Sequence, residues 1–400
     1  MTETTRLLRD LVALPSVNPM RADIPADIVL EYRVTAYLEQ FFRSLGVPFE
    51  RQGVAPQREN IVARLTIPGA KRTLMLEAHQ DTVPVDGMIV APFGAQIEGN
   101  KLFGRGSCDI KGGMSAMLAC FARLVRDKPK GCGNVIMACT VDEENTMLGV
   151  HELVKHVTGP GSQAQLECQA PFGNNIRANF AVVAEPTNLN IVHAHKGVVR
   201  WNLFATGRSC HSSTPENGIN AICRMAKLLV GIEQYAEHLR TTTDDPLLGP
   251  ATLSVGRIEG GTSVNTVPDR CRIEIDRRVI TGEKPDDAPQ QLSAFLQESM
   301  GIEFPFEMTQ PWIREPALSP EGSEEIQALL GAAVDAERGS HKVHAVPYGT
   351  DAATMAWAGI PAVIFGPGDI SNAHTIDEWV PLDEVETASN ILYKLACMVG

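Results

Sequence analysis

Short apolar runs that end in histidine or acidic residues recur along this chain. Runs of four to eight mostly apolar residues between polar turns are typical of buried strands. The runs and the polar residues that follow them are residues 74–78 before His79 and Asp81, 134–141 before Glu143 and Glu144, 180–184 before Glu185, and 361–365 before His374. In an open α/β sheet, ligands bind outside the carboxyl ends of the strands. The pattern therefore predicts one cleft that collects these polar side chains.

A glycine-punctuated segment lies between the first two predicted strands. Residues 102–113 read Leu-Phe-Gly-Arg-Gly-Ser-Cys-Asp-Ile-Lys-Gly-Gly, and an apolar stretch from Met114 to Val125 follows them. The glycines predict a tight bend, and the apolar stretch predicts a helix. The bend presents one carboxylate, that of Asp109, to the same cleft.

Two histidines and at least three carboxylates are donors that suit zinc or a similar divalent ion. Five protein ligands are too many for one open tetrahedral site, so two ions that share a carboxylate agree better with the set. Paired ions in proteins lie roughly 3.5 to 4 Å apart and activate a water near neutral pH. Glu143 and Glu144 are neighbours and cannot both face the ions from an extended strand. We expect one of them to bind metal and the other to act as the base.

The middle of the chain predicts a second, smaller domain. Its pattern is strand, helix, strand, strand, helix, which is enough for a small α+β sandwich inserted into the larger domain. The predicted elements are residues 195–207, 217–239, 252–259, 271–278 and 286–300. The predicted boundaries are residues 1–190 and 305–400 for the two parts of the catalytic domain and residues 191–304 for the insert.

Composition narrows the class of protein. A chain of 400 residues with 44% hydrophobic content can bury two domain cores. A net charge of -13 without a basic block argues against a nucleic-acid partner. The absence of eighteen consecutive apolar residues argues against membrane insertion. Nine cysteines, an odd number without a Cys-x-x-Cys pair, and a polar start to the sequence indicate reduced thiols in the cytoplasm.

The order of these motifs resembles the M20 family of metallopeptidases and deacylases, which includes acetylornithine deacetylase, succinyl-diaminopimelate desuccinylase, carboxypeptidase G and aminoacylase. The resemblance runs from about Leu11 to the C-terminus. The motifs that carry it are His79-x-Asp81, the segment from Gly104 to Gly113, Asp142-Glu143-Glu144, Glu185-Pro-Thr and Ala373-His374. It implies an α/β, zinc-exopeptidase-like catalytic domain, with helices packed on a central mixed sheet, and an inserted α+β sandwich that serves as a lid and dimerisation domain.

The resemblance also implies roles for single residues. The implied metal ligands are His79, Asp109, Glu144, Glu185 and His374, with Asp109 as the bridge. Asp81 would orient His79, Glu143 would be the general base and later the acid, and the peptide bond after Asp109 would be cis. The implied cofactor is two divalent ions, most often zinc, with cobalt or manganese as possible substitutes.

In the predicted insert, His211 matches a lid histidine that reaches the partner chain's active site in dimeric relatives and stabilises the oxyanion. Asn265 matches an asparagine near the substrate, Arg278 matches an arginine that binds the substrate carboxylate, and Gly349-Thr350 matches a substrate loop. The residues alone leave other readings open. His211 could be a turn former, Arg278 could pair with Asp276, and Gly349-Thr350 could be a turn that caps a helix.

The predicted reaction is metal-dependent hydrolysis of the amide bond of an N-acyl-L-amino acid, as in acetylornithine deacetylase. A water that bridges the ions would lose a proton to Glu143 and attack the carbonyl carbon. Glu185, at a position where the carboxypeptidase branch tends to have Asp, favours a deacylase. The alternatives are a metallo-exopeptidase, either carboxypeptidase or dipeptidase, and a non-catalytic binding protein on the same fold. The presence of the ligand positions and of Glu143 disfavours the last.

Overall fold

A computed structural model describes residues 1–21, 23–158 and 176–400 of the chain. These residues divide into two compact units. Unit 1 comprises Met1–His193, Pro320–His344 and Thr350–Gly400, and unit 2 comprises Ala194–Ser319 and Ala345–Gly349. Within the described residues, no helix is long and apolar enough to cross a membrane.

The helices of the described residues are α1 Glu3–Val12, α2 Tyr32–Ser44, α3 Gly112–Asp127, α4 Leu148–His156, α5 Ala221–Thr242, α6 Ala288–Ala294, α7 Glu324–Arg338, α8 Ala352–Trp357 and α9 Leu382–Val399. Their strands are β1 Phe49–Ala55, β2 Arg58–Leu65, β3 Thr73–His79, β4 Gln96–Glu98, β5 Lys101–Phe103, β6 Asn134–Thr140, β7 Val157–Thr158, β8 Ile176–Arg177, β9 Phe180–Val183, β10 Ile191–His195, β11 Gly197–Thr206, β12 Cys210–His211, β13 Thr252–Gly260, β14 Thr266–Val267, β15 Arg270–Val279, β16 Phe306–Met308, β17 Ile313–Glu315, β18 Val343–Val346, β19 Ala362–Ile364 and β20 Trp379–Pro381.

A mixed sheet with the strand order β1-β2-β6-β3-β9-β19-β10-β18 forms the centre of unit 1. β3 pairs in parallel with both β6 and β9, and β9 pairs in parallel with β19. Strands β3 and β6 are buried along almost their whole length, as expected for parallel strands covered on both faces. The four parallel strands end at the same edge of the sheet, so the predicted shared cleft has a structural basis.

Helices α1, α3 and α9 pack together beside this sheet in the larger hydrophobic core. Helix α1 turns Leu7, Leu8 and Leu11 inward, the one-sided spacing expected of an amphipathic helix. Helix α3 is apolar over most of its surface and is correspondingly buried. It begins directly after the segment that carries Asp109, so packing of α3 holds that segment against the sheet.

Unit 2 contains a sheet with the strand order β13-β15-β11-β16, in which β17 also pairs with β11. β11 and β15 alternate between buried and partly exposed residues, and they pair in register along ten residues each. The inward side chains, including Trp201 and Ile273, pack against α5 and α6 in a separate core. This is the α+β sandwich that the order of strands and helices predicted.

The boundary of the insert differs from the prediction. The sequence placed its end at residue 304, whereas unit 2 continues to Ser319 and also takes in Ala345–Gly349. The reason is strand pairing, because β16 and β17 both add to β11. Each of these two strands has only three residues, which is too short for a periodicity to reveal.

Candidate metal centre

His79 ends β3 and is buried. Its Nε2 lies 3.1 Å from Asp109 Oδ1, and its Nδ1 lies 3.0 Å from the backbone oxygen of Asp81. A hydrogen bond from Nδ1 to a carbonyl keeps a proton on Nδ1, so Nε2 is the nitrogen that would bind a metal ion in place of its own proton. Burial opposes protonation of this imidazole, but its hydrogen bonds to Asp109 and Asp81 raise its pKa well above the usual value.

Asp109 lies between the two histidines of the predicted site. Its Oδ1 faces His79, and its Oδ2 lies 3.2 Å from Nε2 of His374. Burial disfavours the charged form, yet hydrogen bonds from His374 and His79 hold the pKa of Asp109 below its usual range. The Asp109–Ile110 peptide bond is cis, as the resemblance implied. One carboxylate that faces a different imidazole with each oxygen is the arrangement expected of a bridging ligand.

His374 contacts both Asp109 and Glu144. His374 Nε2 lies 3.3 Å from the Glu144 carboxylate, and hydrogen bonds to Asp109 and Glu144 raise the pKa of His374 to about 11. The ligand atoms of His79, Asp109 and Glu144 all lie within 4.8 Å of one another. His374 has a φ of 60°, a left-handed conformation that is uncommon outside glycine and is often found at functional sites.

Glu143 and Glu185 add two further carboxylates to the centre. Burial, followed by the charge of nearby acids, raises the pKa of both well above the usual value, although His79 opposes the shift. The acids that act on Glu185 are Asp109, Glu143 and Glu144. Four carboxylates thus share one centre with two imidazoles, of which His79 is buried and His374 is half exposed. Divalent cations would neutralise this charge, and oxygen and imidazole donors of this kind suit zinc, so the residues fit such ions.

The Asp81 carboxylate makes contacts that the sequence did not predict. It lies 3.6 Å from His79 Nδ1, farther than its own backbone oxygen. Its Oδ1 accepts a hydrogen bond from the backbone N–H of Glu143 and its Oδ2 accepts one from that of Glu144, both at 3.2 Å. Asn18 donates a third hydrogen bond to Oδ2 at 2.8 Å. Asp81 therefore ties the end of β3 to the turn that follows β6.

A buried polar network behind Asp81 was also missed. Asn18 Nδ2 bridges Asp81 and Asp142, and Arg58 pairs with Asp142 at 2.6 Å and with Glu31. Asp142 has a φ of 70°, so the turn that presents the two glutamates starts from a left-handed residue. No motif marks Asn18 or Arg58 in the sequence, and a buried arginine becomes visible only when its partners are known.

Glu378 is the other functional candidate that sequence reasoning missed. It is fully buried and accepts hydrogen bonds from Arg105 and from backbone N–H groups of the segment that carries Asp109. The only sequence signal is its position four residues after His374, which by itself indicates no role.

The structure brings His211 and Asn265 together in unit 2. His211 pairs with Thr266 across the β12–β14 ladder, and Ser212 donates a backbone hydrogen bond to Asn265 at 3.0 Å. His211 is exposed, and its Nδ1 accepts a hydrogen bond from the backbone N–H of Ser213 at 3.2 Å. Nδ1 also lies 2.7 Å from Ser213 Oγ, so Nδ1 is engaged within its own turn and Nε2 is the ring nitrogen that can donate to another group.

The other residues predicted to contact substrate make the structural contacts that the sequence left open as alternatives. Arg278 donates to Asp276 at 2.8 Å in the predicted ion pair, and Asp276 also accepts from Arg200. Gly349 belongs to unit 2, whereas Thr350 belongs to unit 1. Thr350 Oγ1 accepts from the N–H of Ala352 at the start of α8, the capping role that the sequence left open.

Comparisons with known proteins place this chain beside one family of hydrolases. The model of Peptidase family M20/M25/M40 matches residues 75–397. Acetylornithine deacetylase of Myxococcus xanthus is 29% identical over 98% of both chains, and that of Vibrio atlanticus (strain LGP32) is 28% identical over 90% of both. Among solved structures, an M20 family metallo-carboxypeptidase from Sulfolobus solfataricus covers 100% of this chain and 99% of its own, with a TM-score of 0.76 and 20% identity. That level of identity supports the fold alone.

Proposed function

Because the chain belongs to Peptidase family M20/M25/M40, we propose that it hydrolyses the amide bond of an N-acyl-L-amino acid with two divalent metal ions. Membership of this family makes the chain an amidohydrolase, and the substrate and the steps are our proposal. The observation that carries it is the Asp109 carboxylate, whose two oxygens lie 3.1 and 3.2 Å from two different histidines.

We assign the metal ligands by donor type and by position in the centre. The proposed ligands are His79, Asp109, Glu144, Glu185 and His374. If Asp109 were shared between the ions, each would have an imidazole and a further carboxylate from this set, donors that suit zinc and also cobalt or manganese. Bound there, the ions would lower the pKa of a water and polarise the scissile carbonyl.

Glu143 is the proposed general base. Glu143 lies close to the charges of His79, Glu144 and Asp109. Beside bound ions its carboxylate would take a proton from water and pass it on to the departing amine. Its backbone N–H is held by Asp81 at 3.2 Å. We therefore assign Asp81 two tasks, which are to stay close to His79 and to fix the turn from which Glu143 projects.

The substrate assignment rests on the named relatives. The deacetylases in the comparisons match this chain over nearly its whole length. The resemblance to the family also associates a glutamate at the position of Glu185 with the deacylase branch. Metallo-exopeptidase action is the second candidate, since the solved structures with this fold include a metallo-carboxypeptidase and a carnosine dipeptidase. The two activities require the same centre and differ in the amide that is cleaved.

We assign substrate contacts in unit 2 to His211, Asn265 and Arg278, and further contacts to Gly349 and Thr350. Nε2 of the exposed His211 ring could donate to an oxyanion, a contact worth about 3 to 4 kcal/mol in acyl transfer. Arg278 is partly exposed and already pairs with Asp276, so a substrate carboxylate would compete with that pair.

We further propose a homodimer formed through unit 2, in the cytoplasm. β13 lies at an edge of its sheet. Ile258 on that strand is 55% exposed, and Val230 on the neighbouring helix α5 is 53% exposed. Open sheet edges with exposed apolar residues are surfaces that pair with another chain. Sedimentation tests this proposal, and a fully active monomer would rule out a contribution of His211 from the partner chain.

The test of the function removes metal with a chelator, restores zinc or cobalt, and assays N-acetylornithine, N-succinyl-diaminopimelate, other N-acyl amino acids and dipeptides. We expect turnover to stop on chelation and to return with metal, with an N-acyl amino acid as the preferred substrate. Preference for dipeptides would favour the exopeptidase. If none of these substrates were turned over in a metal-dependent way, the proposed hydrolase activity would be wrong.

A further inference from the structure

Glu378 connects the two segments that carry the proposed ligands Asp109 and His374. It lies between His374 and β20, and β20 pairs with β5 immediately before the Asp109 segment. The backbone oxygen of Glu378 accepts from Gly104 at 3.0 Å, so the main chain of this residue continues the strand pairing. The side chain then points into the bend that follows Gly104.

The carboxylate of Glu378 is saturated by donors from that bend. Its Oε1 accepts from the backbone N–H of Cys108 at 2.9 Å and of Asp109 at 3.1 Å. Its Oε2 accepts from the N–H of Gly106 at 3.1 Å and from Arg105 Nη1 at 2.6 Å. Both Glu378 and Arg105 are buried, and hydrogen bonds to a charged group are among the stronger ones in proteins.

We propose that Glu378 is a positioning residue of the metal centre. It fixes the Asp109 segment and the His374 segment relative to each other. This inference rests on the proposed function. A shift of the Asp109 backbone would move the carboxylate relative to His79 and His374 together, because its two oxygens face the two rings. Loss of the Glu378 carboxylate should therefore weaken the binding of both metal ions.

Glu378→Gln is the sharpest change, because it keeps the size of the side chain and alters only its donors and acceptors. An amide has one oxygen and one NH₂ group, so in either orientation two of the four donors meet another donor. Changes in groups that support metal ligands typically cost about 10 to 100-fold in metal affinity. We expect that loss in the variant.

Glu283→Gln is the matched control in unit 2. Glu283 also accepts from a buried arginine, Arg277 at 2.7 Å, and from a backbone N–H, that of Ile280 at 2.9 Å. This control should lower the melting temperature of the metal-free protein and leave metal affinity unchanged. It separates a general loss of stability from a loss of site geometry.

Affinity is measured by competition between the full-length protein and a chelator for cobalt and for zinc, with the visible absorption of bound cobalt as a second readout. A lower affinity and an altered cobalt spectrum in Glu378→Gln, with wild-type values in Glu283→Gln, would support the proposal. Wild-type affinity and spectrum in Glu378→Gln would overturn it, even if the melting temperature fell.

If Glu378→Gln does not fold, Arg105→Lys keeps the proposal testable. It retains the positive charge and removes the guanidinium geometry, so we expect a smaller loss of affinity in the same direction, and an unchanged affinity would overturn the proposal. A wild-type protein that binds neither zinc nor cobalt would sink the proposed function. A wild-type protein that binds metal and turns over, beside an unaffected Glu378→Gln variant, would sink only this inference.

Discussion

Asp81→Asn tests whether the base is held in place by its backbone. The Asp81 carboxylate is fully buried and has three donors, Glu143 N–H on one oxygen and Glu144 N–H with Asn18 Nδ2 on the other. Asparagine offers one accepting oxygen. The less costly orientation keeps Glu144 and Asn18 satisfied and turns an NH₂ group towards the N–H of Glu143.

The magnitude follows from that count. One buried donor without an acceptor costs about 1 to 3 kcal/mol, so the free energy of unfolding should fall by that amount. The backbone of Glu143 would move away from the NH₂ group, and the base would move with it. Supporting groups of a metal site typically contribute about 10 to 100-fold to activity, and we expect kcat/KM to fall in that range.

The assay is kcat/KM for N-acetylornithine with zinc-loaded protein, together with urea unfolding of the same preparations. Asp245→Asn in unit 2 is the matched control, since Asp245 accepts from two successive backbone N–H groups, those of Leu247 and Leu248. Leu247 and Leu248 both donate to Oδ1, which asparagine retains, whereas Thr281 also hydrogen-bonds the carboxylate. The control should therefore lose stability only at the Thr281 contact and keep its activity. A wild-type kcat/KM in Asp81→Asn would refute the reasoning. An equal loss of kcat/KM in Asp245→Asn would show that the effect of Asp81→Asn comes from lower stability in general.

Three further predictions concern the proposed base, the metal ions and a buried histidine. Glu143→Gln should lower kcat by about 10² to 10⁴-fold with the metal content unchanged in elemental analysis, and loss of metal would instead make Glu143 a ligand. Chelation should lower the melting temperature and zinc should restore it, since free ion at about 100 times Kd stabilises by about 2.7 kcal/mol, and a melting temperature indifferent to metal would contradict the assigned ligands. Burial lowers the pKa of His195 to about 4. Between the ordinary histidine pKa of about 6.5 and that lowered pKa, the unfolded chain binds a proton that the folded protein does not. The free energy of unfolding should therefore decrease as the pH is lowered through this range, by about 1.4 kcal/mol per pH unit. His195→Gln should remove this part of the slope in urea unfolding, and an unchanged slope would contradict it.

Local patterns in the sequence were sufficient for the elements that form the centre. The predicted strands ahead of His79, Glu143 and Glu185 agree with β3, β6 and β9 to within about a residue or two, the usual scatter at element ends. They were readable because buried parallel strands are continuous apolar runs. The predicted α/β fold with an inserted sandwich is confirmed, and the M20 resemblance is confirmed by the family match over residues 75–397.

The partners of buried polar groups could not be read in the same way. Glu378 meets Cys108 across 270 positions of the chain, Arg58 meets Asp142 across 84, and Asn18 meets Asp81 across 63. Hydropathy and periodicity report only which residues are buried and on which face. Which donor satisfies a buried carboxylate depends on how distant segments pack.

The sequence by itself indicated which candidates share one cleft, since His79, Glu144 and Glu185 follow apolar strands and parallel strands end at one edge. Tertiary structure alone decided how those candidates are held. It placed the two oxygens of Asp109 against two histidines and turned Asp81 towards the amides of Glu143 and Glu144. The physical reason is that strand formation is dictated by local apolar periodicity, whereas hydrogen-bond geometry at a buried centre is set by contacts between segments far apart in the chain.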